Sequence, residues 1–169
     1  MACDGRHNGW VAGELKVDLT GPRDCTVARA LEVLGERWSL LVLRELFLGN
    51  RRFAGIQAAT GAPRAVLSAR LEKLQAEGLI ETRDYREEGQ RTRSEYVLTT
   101  KGKDLQPVVT ALRQWGDKYL AGPDGPSVEL RHRECGERVR VAIVCEAGHE
   151  LPGTGREVQV VRTAAPVPA

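Results

Sequence analysis

The run Trp38-Ser39-Leu40-Leu41-Val42-Leu43-Arg44-Glu45-Leu46-Phe47-Leu48 constrains this chain more than any other. Its large apolar side chains fall nearly all round a helical projection instead of on one stripe. A helix of that kind has to be covered on every side, so the neighbouring segments must be amphipathic elements that wrap it. It stops at Gly49-Asn50, residues suited to the turn that closes a helix. The flanks fit this demand. Cys25 to Leu34 sets Val27, Ala30, Leu31 and Leu34 on one face before Gly35. Phe53 to Ala59 suits a short helix with Phe53, Ile56 and Gln57 on adjacent turns. Thr60-Gly61-Ala62-Pro63 is a turn that puts proline at or near the first position of the next helix, where its missing N–H costs nothing. That helix, Pro63 to Glu77, carries Leu67, Leu71 and Leu74 on one stripe and ends at Gly78.

Two strands are expected next, Leu79 to Arg86 and Ser94 to Thr99, joined by the charged loop Glu87-Glu88-Gly89-Gln90-Arg91-Thr92-Arg93. A long helix over Lys101–Leu120 follows, with Leu105, Val108, Val109, Leu112, Trp115 and Tyr119 on one side. Ala121-Gly122-Pro123-Asp124-Gly125-Pro126 cannot continue it. Beyond that breaker Val139, Val141 and Ile143 recur at period two, which predicts a strand over 137–144. The fold class is therefore mainly α with small β (α+β). Its expected parts are a flexible N-terminal arm (1–24), a central domain (25–121), a small C-terminal β extension (122–162) and an unordered tail (163–169).

Composition narrows the function. The 169 residues hold 25 Lys and Arg against 23 Asp and Glu, a net charge of +2. Such a chain is no general polycation, so any contact with nucleic acid has to come from a local basic patch. No apolar run approaches the roughly 18 residues of a membrane span. The start, Met1-Ala2-Cys3-Asp4-Gly5-Arg6-His7, has no apolar core of a secretory signal, so the chain reads as soluble and cytoplasmic. Four cysteines in a chain of this length are thiols or ligands, not a disulfide scaffold. A phosphate loop, Gly-x-Ser-x-Gly, His-Glu-x-x-His and a spaced acid pair are all missing, and the three histidines lie outside the central domain; no enzyme is expected.

Helix, short helix, turn, helix, then strand, basic loop and strand is the plan of a winged helix-turn-helix. The major groove of double-stranded DNA admits one α-helix, which needs an apolar back to be held by and a polar front to read base edges. In 63–77 the front is Pro63, Arg64, Ala65, Ser68, Ala69, Arg70 and Lys73. Residues 51–73 carry Arg51, Arg52, Arg64, Arg70 and Lys73 against Glu72 alone. Arg64, Ser68 and Arg70 are placed to read or flank bases, while Arg52, Arg91 and Arg93 hold backbone. Any single arginine is more simply a solvated residue; the ordered set is what points to DNA. A winged helix can also serve as a protein-interaction module, which would call for an apolar front.

Cys25, then Ala30-Leu31-Glu32-Val33-Leu34-Gly35-Glu36-Arg37-Trp38 running on to Leu46, then Arg52-Phe53, Leu67-Ser68-Ala69-Arg70-Leu71-Glu72-Lys73-Leu74, Glu77-Gly78-Leu79-Ile80 and Tyr96-Val97-Leu98-Thr99-Thr100-Lys101-Gly102 together resemble the HxlR-type winged-helix transcriptional regulators of bacteria, relatives of the MarR group. The resemblance covers about 25–121. It implies a homodimer that binds an inverted-repeat operator through helix 63–77 and the wing, most often as a repressor, and dimerises through 26–34 and 101–120. Some members sense electrophiles or oxidants through one cysteine at the start of the first helix, where this chain has Cys25-Thr26 in place of Cys-Pro. The helix N-terminus and Arg29 would favour a thiolate there and Asp24 would oppose it; an ordinary buried cysteine is the alternative. Related dimers also hold a small-molecule effector between the DNA-binding lobe and the dimer helices, for which Trp38, Trp115 and Tyr119 are candidate lining.

In the extension, His132-x-x-Cys135 and Cys145-x-x-x-His149 flank the period-two segment and could together hold a tetrahedral zinc. The extension resembles the Cys-rich appendages of some actinobacterial members, whose second knuckle reads Cys-x-x-Cys-Gly. Here that place reads Cys145-Glu146-Ala147-Gly148-His149, without the second cysteine. A metal-free hairpin is the preferred reading, with no cofactor.

Overall fold

The computed structural model describes residues 25–85, 93–126, 128–152 and 157–159. Helix α1 (Thr26–Leu34) is followed by α2 (Arg37–Phe47), α3 (Phe53–Thr60) and α4 (Arg64–Ala76). Strands β1 (Ile80–Tyr85) and β2 (Arg93–Leu98) then pair antiparallel, from Ile80 opposite Leu98 to Tyr85 opposite Arg93. They are followed by α5 (Thr100–Lys103), α6 (Gln106–Tyr119) and a two-residue ladder of β3 (Ile143–Val144) with β4 (Glu150–Leu151). This is a winged helix-turn-helix of mainly α, small β class.

Helix α2 is the centre, as its sequence requires: α1, α3, α4, α6 and β2 all pack on it. Val42, Leu43 and Leu46 meet Ile56 of α3, Leu67, Leu71 and Leu74 of α4, and Leu79 and Ile80. Full burial of one such side chain stabilises by ~1.5–3 kcal/mol, so this cluster is what fixes α4 to the body. Two polar residues of α2 are buried with it. Glu45 is held by Arg44 (2.6 Å) and Asn50 (3.3 Å), whereas the Ser39 hydroxyl has no partner among the described residues. Leu48 falls outside the helix and is exposed. The turn between α3 and α4 rests on Gly61, whose φ of 71° closes α3 in the left-handed region. Pro63 caps α4 without a side-chain bond.

Two expectations need correction. The helix expected over Lys101–Leu120 is broken at Asp104-Leu105, between α5 and α6. Pro107 is the reason: it has no N–H to give to the Lys103 carbonyl and is tolerated only in a first turn, which is where α6 places it. The segment 137–144 is not one strand. Arg131 and Arg138 form an isolated bridge at one end and β3 pairs with β4 at the other. Between them the backbone bonds to a side chain of α6: the Gln114 amide donates to the Val139 carbonyl (3.1 Å) and accepts from the Val141 N–H (3.0 Å).

At the wing's root Glu95 accepts from Arg83 (2.5 Å) and lies 3.6 Å from Arg51. The Arg83 hydrogen bond holds the Glu95 carboxyl below its usual range. A depressed carboxylate adds stability above its unfolded pKa and loses it as pH falls through the folded value. Glu95→Gln is accordingly expected to melt below the parent at neutral pH and together with it in acid, a difference read by thermal scans at the two pH values.

Candidate nucleic-acid interface

Because Leu67, Leu71 and Leu74 face the core, α4 turns the opposite sector outward. Ala65, Ala69, Glu72 and Ala76 are exposed there, with Arg64 exposed and Ser68 half-buried at one edge. The Arg64 guanidinium lies 4.9 Å from the Phe53 ring centroid, so the helix before the turn steadies a cation at the start of α4. No side chain caps the first turn of α4, so its N–H groups present a partial positive charge beside Arg64.

Arg70 and Lys73 are not on that front. They lie on the flank facing the α1–α2 junction. Arg70 has a terminal nitrogen 3.9 Å from a Glu36 carboxylate oxygen, its side chain is 24% exposed, and its Nε is buried without a partner among the described residues. The Lys73 ammonium donates to the Glu32 carbonyl (2.5 Å) in the last turn of α1, where the negative end of that helix attracts it. A helical projection put both on the polar side of α4, but it carries no information about the acceptors that a neighbouring helix end supplies.

The wing gathers a second group. Arg52, exposed just ahead of α3, stacks over Tyr85 with its guanidinium 4.7 Å from the ring centroid. Tyr85 pairs with Arg93, which is exposed at the start of β2. Arg52 and Arg93 thus meet at the same end of the hairpin, around a tyrosine that the sequence reasoning passed over; its place in an otherwise charged segment was the available signal. Arg91 lies outside the described residues.

Cys25 is half-buried at the N-cap of α1, with its carbonyl taken by the Arg29 N–H (3.1 Å). In the extension each His–Cys pair closes on itself. His132 Nδ1 lies 3.2 Å from Cys135 Sγ, and His149 Nδ1 lies 3.6 Å from Cys145 Sγ. Among the described residues no three His, Cys, Asp or Glu side chains come together as a metal cage. The four residues considered for zinc from their spacing stand as two separate pairs, each in a turn closed by a glycine N–H, Gly136 to the His132 carbonyl and Gly148 to the Cys145 carbonyl. Exposed ion pairs lie across the extension, Arg140 with Glu150, and Arg131 and Arg138 with Glu129. The candidate effector lining divides between inside and outside in the single chain. Trp38 packs on the core, whereas Trp115 and Tyr119 lie exposed on the outside of α6, ring centroids 5.5 Å apart.

A leucine-backed helix held proud of a helix-turn-helix body, with a two-stranded wing beside it, defines a DNA-binding transcriptional regulator. A family model described as HxlR-like helix-turn-helix matches residues 33–124, and this chain belongs to that family. An uncharacterized HTH-type transcriptional regulator of Mycobacterium tuberculosis, Rv3095, is 45% identical over 134 residues, 79% of this chain and 82% of the relative. That alignment is longer than residues 1–121, so the likeness runs into the extension. Among solved structures, PA1607, described as a candidate transcription factor, superposes with a TM-score of 0.70 at 35% identity, covering 83% of this chain and 96% of the other. A second candidate transcription factor, PA1374 of Pseudomonas aeruginosa, gives 0.55 at 33% identity over 83% and 95%. No helix among the described residues is long and apolar enough to cross a membrane.

Proposed function

We propose that the chain represses transcription as a homodimer bound to an inverted-repeat operator, and that a separate signal releases it. The observation that carries this reading is an apolar surface that the described residues leave uncovered. On α6 Val108, Leu112, Trp115 and Tyr119 are all at least half exposed, and on α1 so are Val27 and Leu31. Such a surface marks an interaction site, and a two-fold contact lets one patch cover its own copy. Two α4 helices then enter successive major grooves ~34 Å apart. Arg64 and Ser68 face base edges from the N-terminal turns, with Pro63 setting the entry. Ala65 and Ala69 bring methyl groups suited to thymine methyls. Arg52, Arg93 and, from the hairpin loop, Arg91 hold phosphates. Arg70 and Lys73 set the angle of α4 through Glu36 and Glu32.

Selection from random duplexes with the purified protein tests this directly and should return a palindrome. Arg64→Ala is expected to weaken the selected duplex by ~1–3 kcal/mol and to relax one base position. Arg70→Ala should lower the melting temperature and leave the selected sequence unchanged. A base preference that shifts with Arg70 and not with Arg64 would reverse the assignment.

A further inference from the structure

The stripe of α6 opposite its exposed apolar residues, Val109, Thr110, Arg113 and Asp117, is turned toward α2. Between it and Phe47 and Leu48 lies a cavity of about 350 Å³, walled on the far side by Val128 and Leu130. Those two residues belong to the segment that Gln114 fastens to α6 through its bonds to Val139 and Val141. They also lie past residue 124, where the family match stops. The space is therefore completed by this chain's extension and is not built by the shared DNA-binding domain alone.

The lining limits what can enter. At ~30 Å³ per water the cavity holds on the order of ten waters, or a ligand with about that many non-hydrogen atoms. Its charges are already matched. Arg44 pairs with Glu45 at 2.6 Å, whose other oxygen accepts from Asn50, and Arg113 pairs with Asp117 at 3.3 Å. An ionic ligand would have to break one of these pairs in a half-buried place and leave its partner uncompensated. A neutral one need not. Thr110 and Glu45, 7% and 6% exposed, put a hydroxyl and carboxylate oxygens beside the apolar walls, so a neutral O–H finds an acceptor.

We propose that this cavity binds a neutral, ring-containing alcohol or phenol of roughly ten to twelve non-hydrogen atoms, its rings against Phe47, Leu48, Val109 and Leu130 and its hydroxyl donating to Glu45 or Thr110. A rigid ring system fills such a space with little ordering entropy to lose. Helix α2 also carries α4, so filling the gap between α2 and α6 alters the seat of the helix that faces DNA. This regulatory half rests on the DNA-binding reading above; occupancy of the cavity does not.

The test is a calorimetric titration of the full chain, without DNA, with 1-naphthol. One saturable site per chain is expected. Leu130→Trp, which fills the cavity, should weaken binding by about tenfold or more, and Thr110→Val by several-fold, while the exposed change Val144→Ser leaves it as it was. Circular dichroism checks that each variant is folded; if Leu130→Trp is not, Val128→Trp replaces it. Heat that never saturates, or a site bound as tightly by the filled protein as by the parent, overturns the site. Naphthol binding with no change in affinity for the selected duplex keeps the site and overturns its coupling to DNA.

Discussion

Replacing Leu112 and Trp115 together with glutamate is expected to yield a folded monomer whose affinity for a palindromic duplex has fallen by about a hundredfold or more. Neither side chain belongs to the core that holds α2 to α4: both are about half exposed, on the side of α6 away from α2. The lone chain therefore loses little by the change. A two-fold contact loses a great deal, since four carboxylates would meet where an aromatic and an aliphatic pair had been buried. Without the contact each α4 reads its half-site alone, and the gain from linking two reading heads disappears. Light scattering gives the mass and titration against palindromic and half-site duplexes gives the affinity. A variant that stays dimeric, or a parent that binds both duplexes equally well, would remove the two-fold model.

The second large effect is expected at Gly102. This residue starts from the cap of α5, where Thr99 Oγ1 accepts from the Gly102 N–H (3.1 Å) and donates to the Gly78 carbonyl (2.7 Å). The cap pulls the first turn of α5 down onto the end of the α4–β1 loop. A Cβ on Gly102 would fall well inside contact distance of the Leu79 carbonyl oxygen, 3.0 Å from its carbon and 3.1 Å from Leu98 Cδ2. The obstacle is backbone, so no rotamer relieves it. Gly102→Ala should destabilise by about 2–4 kcal/mol, measured as a lowered urea midpoint. Gly116→Ala in α6 is the matched control. A Cβ there meets nothing within 4 Å, and helix propensity favours the alanine by ~0.5–1 kcal/mol. Equal losses at the two positions would show that the tight approach at Gly102 is not what constrains it.

The elements whose identity depends on their own residues were legible from the chain alone. Apolar periodicity named α1 to α4 to within a residue or so, because the 67–71–74 leucines and the all-round α2 run leave one way to bury themselves. Where a partner decides the outcome, periodicity alone is a poor guide. Arg70 and Lys73 share the polar arc of α4 with Ala69, but Glu36 and the Glu32 carbonyl of α1 draw them aside, and those acceptors are 34 and 41 residues away in sequence. Val139, Val141 and Ile143 alternate like a strand, yet the donor and acceptor that meet residues 139 and 141 come from one glutamine in α6. The break before α6 is of a different kind, since Pro107 announces it while the apolar stripe runs on across it.

The ties made by Arg70 and Lys73 bear on how strongly dissolved ions would compete with DNA. A protein releases one condensed counterion for roughly each phosphate it neutralises, and the steepness of its ionic-strength dependence counts those contacts. Lys73 is spent on the Glu32 carbonyl, Lys101 on the Glu77 carbonyl, Arg70 on Glu36, and Arg51 and Arg83 on Glu95. Much of the basic charge between residues 51 and 101 thus works within the chain, screwing helix ends and wing together. Affinity should therefore fall with added potassium chloride less steeply than a tally of arginines and lysines in this stretch would suggest.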